Sequence, residues 1–184
     1  MPLHIVCGPM FSEKSTTLYR AVTRTLRAKK SVRVFVPTMD TRSVGQLKTH
    51  SGLSLESLGI NPIAVSASSQ IYQHLKALDP QPDLVVVDEA QFFDLDLPLW
   101  LGKVLHLNII AAGLDLTSEG HPFGPMGSLL CMADQVEKLT AICHHCGEEA
   151  TRTSCLVKKN KDVLVGGDNA YVPMCHGCWA VHTP

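Results

Sequence analysis

Short apolar runs alternate along this chain with longer segments in which apolar residues recur every three or four positions. Leu3 to Cys7, with Ile5 and Val6 inside it, predicts a buried strand. After Gly8-Pro9, the apolar positions Leu18, Ala21, Val22 and Leu26 share one face of a helix predicted over Lys14 to Lys29. Ser31 to Val36 is β-branched and aromatic and predicts a second strand, ended by Pro37. Met39 to Asn61 is polar and turn-rich with weak periodicity, and predicts a long loop with little regular structure. A short strand at Pro62 to Val65 and a helix at Ser68 to Leu78 follow. Leu84 to Val87, aliphatic throughout, predicts a central strand covered on both faces. A helix around Pro98 to Leu105 then leads to another buried strand at Asn108 to Ala112. Strands that are apolar throughout and alternate with helices predict an α/β fold with a parallel sheet flanked by helices. From about Cys143 the texture changes to paired cysteines, short polar runs and Gly166-Gly167. The expected division is therefore a nucleotide-binding α/β domain over residues 1–140 and a small unit over 141–184.

Composition narrows the class. With 184 residues, 45% hydrophobic and 18% charged, the chain suits one globular domain plus a small appendage. A net charge of −1 and 5% aromatic residues leave little for phosphate contacts or base stacking, which argues against a nucleic-acid binder. No segment approaches the roughly eighteen apolar residues of a membrane span. Met1 to Met10 lacks a basic start, and its apolar stretch runs straight into Gly8-Pro9, so no signal peptide is expected. The expected compartment is the cytoplasm, where a reducing environment argues against seven cysteines forming disulfides.

Four of those cysteines form two C-x-x-C pairs, Cys143 with Cys146 and Cys175 with Cys178, separated by 28 residues. Four thiolates in two such pairs suit tetrahedral Zn²⁺, and an all-cysteine shell leaves no open catalytic position. A structural zinc ribbon is the expectation. His144, His145 and His176 read as exposed ribbon residues, and Cys7 and Cys131 as small core residues.

Gly8, Pro9, Met10, Phe11, Ser12, Glu13, Lys14 and Ser15 follow a strand and open a helix, nearly matching the phosphate loop G-x-x-x-x-G-K-[ST]. Backbone N–H groups at a helix start would surround phosphates, Lys14 would reach the outer ones, and Ser15 would hold Mg²⁺. Glu13 takes the place of the second glycine. It adds a Cβ to a tight turn and a carboxylate beside a polyphosphate. Two unit charges about 4 Å apart repel by about 4 kcal/mol at an effective dielectric near 20. Downstream, the buried strand at Leu84 to Val87 ends in Asp88 and Glu89, placed to hold Mg²⁺ and to take a proton from a hydroxyl nucleophile.

Together, G-P-M-F-S-x-K-S, D-E-A-Q-F-F, G-L-D, Pro122-Phe123-Gly124, G-G-x-x-x-Y-x-P-x-C and the two C-x-x-C pairs resemble the thymidine kinase family of the zinc-containing type. The motifs stand in family order over nearly the whole chain. The resemblance implies transfer of the ATP γ-phosphate to the 5′-hydroxyl of thymidine or deoxyuridine, with ATP, Mg²⁺ and structural Zn²⁺ as cofactors. It implies Glu89 as catalytic base, and Gly8 through Ser15, Asp88, Gln91 and Arg42 on the nucleotide side. It places Met10, Phe92, Leu114, Thr153 and Tyr171 around the thymine, with a lasso containing Leu164, Val165 and Gly166 closing over it. It also implies a small-molecule nucleoside as partner, no nucleic acid or membrane, and a homotetramer. Three departures stand out: Glu13; Ser118, where the family usually has Phe; and the segment after Arg42, which keeps little beyond His50 and Gly52. They leave a second reading open, a catalytically impaired relative that binds nucleoside or nucleotide.

Overall fold

The computed structural model describes residues 3–39, 52, 54–156 and 170–182. Each predicted strand of the main unit forms: β1 (Leu3–Cys7), β2 (Val32–Pro37), β3 (Ile63–Val65), β4 (Leu84–Val87) and β5 (Ile109–Gly113). With β6 (Gln135–Lys138) they make a parallel sheet in the order β3-β2-β4-β5-β1-β6. The first strand of the chain is thus interior, paired on one side with β5 and on the other with β6.

The continuous apolar runs are explained by a core on each face of the sheet. Successive residues point to opposite faces. Leu3, Ile5, Val85, Val87, Ile109 and Ala111 join one buried cluster, under α2 (Ser68–Lys76), α3 (Leu97–Gly102) and α4 (Met126–Met132). Val6, Val86, Ile110 and Ala112 join the other, against Leu18 and Val22 of α1 (Lys14–Arg27).

Three features depart from the sequence expectation. The stretch predicted to lack regular structure contains a 3₁₀ turn at Leu55–Leu58, whose first amides are capped by Ser54 and whose Leu55 is fully buried beneath α1. β6 was not predicted because Gln-Val-Glu-Lys carries no apolar run; as an edge strand it stays mostly exposed. α4 has only seven residues, too few to show a period. Its Met126 and Leu129 face the core, so Cys131 falls on the solvent side and is exposed, not the core residue its type suggested.

Beyond β6 come β7 (Ala141–Ile142), β8 (Glu149–Ala150), β9 (Arg152–Cys155), β10 (Tyr171–Met174) and α5 (His176–His182). β7 pairs antiparallel with β8, and β9 antiparallel with β10. Their shared core is small: Ala141, Cys143, Ala150, Val172 and Met174, with Phe11 and Trp179 packed against it. A cluster of this size cannot hold a fold by burial alone, which is where a bound metal would contribute.

Candidate active site and metal centre

Neighbouring parallel strands bring the ends of β4, β5 and β1 side by side, the usual location of ligand sites in open α/β sheets. From β1 the chain turns through Gly8, whose φ is 146° and where an added Cβ would lie 2.4 Å from the Leu139 carbonyl oxygen. The loop then passes Phe11 and Glu13, both left-handed at φ 64° and 61°. For a residue with a Cβ that conformation costs roughly 1–2 kcal/mol. Glu13 adopts the backbone that glycine would take freely, and its side chain is exposed. It makes no capping hydrogen bond to α1, so no side-chain cap from Glu13 blocks an anion at the helix start.

Lys14 Nζ lies within the loop. It donates to the carbonyl of Pro9 at 2.6 Å, to that of Gly8 at 3.2 Å, and to Ser12 Oγ at 3.3 Å. Ser12 Oγ in turn donates to Pro9 O at 2.8 Å. Burial lowers the pKa of the Lys14 ammonium, and the carboxylates of Glu89, Asp88 and Asp115 pull it back up. Those opposing causes are consistent with the loop lysine facing the acids from two other strand ends.

Asp88 is buried, and its Oδ1 accepts from Glu89 N at 2.9 Å. Glu89 is left-handed at φ 50°, a strained backbone of the kind that collects at functional sites. Its carboxylate accepts a short hydrogen bond from Gln91 Nε2, while Gln91 Oε1 accepts from Leu114 N at 3.0 Å. Gln91 is 2% exposed and so ties the Glu89 carboxylate to the end of β5. Gly113 leaves room for it, since a Cβ there would come within 2.6 Å of Gln91 Oε1. The sequence reading grouped Gln91 with nucleotide contacts; its hydrogen bonds face Glu89 and Leu114. Asp115, noticed only as part of G-L-D, is buried and paired with Lys138 at 2.8 Å. Its signal was an acid two residues past a buried strand, close to the signal that singled out Asp88. Burial, with Asp115 nearby, pushes the Cys7 thiol up to about 11, in keeping with an inert core residue.

Of the expected thymine contacts, Met10 and Thr153 are brought together: Met10 N–H donates to Thr153 Oγ1 at 3.0 Å. Phe92 meets Phe123 edge-on, with ring centroids 5.6 Å apart. Leu114 and Tyr171 are half-buried, at the end of β5 and the start of β10. Arg42, Leu164, Val165 and Gly166 lie outside the described residues. Ser118 is buried, and its carbonyl accepts from Trp179 Nε1 at 3.1 Å.

Cys143, Cys146, Cys175 and Cys178 converge, their sulfur atoms all within 4.8 Å of one another. Tetrahedral Zn–S bonds of about 2.3 Å put sulfurs roughly 3.8 Å apart. Cys146 Sγ and Cys175 Sγ are separated by 3.7 Å, so the donor set fits Zn²⁺ in both chemistry and spacing. A backbone hydrogen bond from Cys175, with others from Cys146 and His145, lowers the Cys143 thiol to about 6. Thiol contacts with Cys175 and Cys146 push Cys178 the other way. Four adjacent sulfurs cannot all ionise without a cation among them, and a divalent metal would supply that charge.

A model of the thymidine kinase family matches residues 1–179. Thymidine kinases from two strains of Bacteroides fragilis are each 38% identical to this chain over 180 residues, covering 96% of this chain and 86% of theirs.

Proposed function

We propose, from the premise that this chain belongs to the thymidine kinase family, that it transfers the γ-phosphate of ATP to the 5′-hydroxyl of thymidine or deoxyuridine. The observation that carries this reading is the Glu89 carboxylate, strained into place, clamped by Gln91 and electrostatically coupled to Lys14 of the phosphate loop.

Glu89 acts as the base, taking the proton from the nucleoside hydroxyl as its oxygen bonds to the γ-phosphorus and ADP departs. Gln91 holds that carboxylate in one orientation. Lys14 and the first-turn amides of α1 neutralise charge on the phosphates. Ser15 and Asp88 are the hard oxygen donors that would hold Mg²⁺, which would supply positive charge to the phosphates. By resemblance, Met10, Phe92, Leu114, Thr153 and Tyr171 would line the base; Leu164, Val165 and Gly166 are assigned to the nucleoside, and Arg42 to the phosphates, on the resemblance alone. The division at 140/141, drawn from the change in texture, a cytoplasmic location, drawn from the lack of an export signal, and a homotetrameric assembly, drawn from the resemblance, belong to the same proposal. Among the described residues no helix is long and apolar enough to cross a membrane.

Incubating the protein with thymidine, ATP and Mg²⁺ tests this reading. Thymidine monophosphate should form with wild type and vanish with Glu89→Gln. The left-handed Glu13 keeps the impaired reading open: product only after Glu13→Gly would identify a kinase scaffold disabled at its loop. No product from any of the three would overturn the thymidine assignment.

A further inference from the structure

We infer that Thr153 is a positioning residue through which the four-cysteine unit fixes the tip of the phosphate loop, so that metal at the cysteines sets how tightly the loop takes a nucleoside triphosphate. The inference rests on the reading of that loop as the ATP site. It gives Thr153 a role separate from the thymine contact that resemblance suggests.

Two independent contacts join loop and metal unit. Met10 N–H donates to Thr153 Oγ1 at 3.0 Å across 143 residues of sequence, and Thr153 is 4% exposed. The side chain of Phe11 packs into the small core that contains Cys143, Val172 and Met174. Both contacts fall on the part of the loop that is held in an unfavourable backbone, between Gly8 and Glu13. A strained loop keeps its shape only when its surroundings over-determine it, and these surroundings belong to the cysteine unit.

The path from metal to Thr153 is short. β9, which carries Thr153, pairs with β10 so that Thr153 stands opposite Pro173 and Arg152 opposite Met174, the residue before Cys175. His144 N, one residue past Cys143, donates to the Pro173 carbonyl at 2.9 Å. The two cysteine knuckles therefore hold β10 from both sides, and β10 holds β9. With the cysteines unlinked, so few buried side chains would leave β9 free to shift, and the Met10 amide would lose its acceptor.

Hydrogen–deuterium exchange at the Met10 amide, ATP affinity by titration calorimetry and zinc content by a chromogenic chelator test the inference in the zinc-loaded protein. Thr153→Val keeps the shape and removes the acceptor. It should retain zinc, speed exchange at Met10 about tenfold and weaken ATP about fivefold, as expected for one lost hydrogen bond. Thr153→Ser should restore both. The KM for ATP should rise in step with the weaker binding. Stripping zinc from wild type should also speed exchange at Met10. Phe11→Leu leaves Thr153 in place and should act in the same direction, which covers failure of the valine variant to fold. Unchanged Met10 exchange and ATP affinity in zinc-loaded Thr153→Val would overturn the inference, as would zinc removal that leaves Met10 protected. If wild type binds no ATP while Met10 protection still follows Thr153 and zinc, the brace stands and the triphosphate reading of the loop falls.

Discussion

Glu13 shows how a single side chain can conflict with its backbone without breaking the fold. Its left-handed conformation costs roughly 1–2 kcal/mol relative to glycine, and its carboxylate adds repulsion once phosphates are present. Exposure of the side chain lets solvent screen much of that repulsion. Glu13→Gly is therefore expected to lower the KM for ATP severalfold and to leave the thymidine KM unchanged in steady-state assays. Gln91 predicts the opposite separation. Gln91→Leu frees the Glu89 carboxylate from its clamp, so kcat should fall by about a hundredfold, within the range ascribed to a well-placed general base, with ATP affinity by calorimetry unaltered. At this scale the sequence was most legible where a residue type is tied to one chemistry. The four cysteines, Lys14 and the Asp88-Glu89 pair could be picked out from spacing alone. The partners of Gln91, Thr153 and Asp115 could not, because each of these contacts joins residues far apart in sequence that only the folded chain brings together.

Helix α2 makes the same point for elements. Its N-cap position is Ala67, which has no side-chain acceptor, and Gln70 Oε1 reaches back to the amides of Ser66 and Ala67. The cap on the following residue comes from a distant segment: Asp94 accepts from Ser68 N at 2.8 Å and from the Ser68 hydroxyl. Partial burial pushes the Asp94 carboxyl up, but the hydrogen bonds from Ser68 and from the Asp96 amide outweigh it and hold the pKa below its usual value. A carboxylate depressed on folding adds stability above its unfolded value near 4 and loses it as pH falls through the folded value. Asp94→Ala should accordingly cost about 1 kcal/mol at pH 7, a typical cap loss. The gap to wild type in denaturant titrations should narrow below about pH 4. Periodicity and apolar runs located the buried strands and α1 to within a residue or two. They were blind to β6, α4 and the turn at Leu55–Leu58, whose few inward residues form no pattern of their own.

For the whole molecule, the sheet and the cysteine unit draw their stability from different sources. The sheet has a buried cluster on each face, whereas the smaller unit has a hydrophobic cluster of five buried residues and four cysteines placed to hold a metal. Zinc chelation followed by limited proteolysis should therefore open cleavage within 141–156 and 170–182 while residues 3–39 and 54–138 stay protected. The interior place of β1 has a consequence for how this protein is made. β1 leaves the ribosome well before its partners: Ile109 and Gln135 are translated more than a hundred residues after Leu3 and His4. At about 5–20 residues per second, that leaves an apolar strand with both edges bare for roughly 5–20 seconds. Such a segment invites pairing with neighbouring nascent chains and makes the half-built polypeptide a natural client of ribosome-associated chaperones.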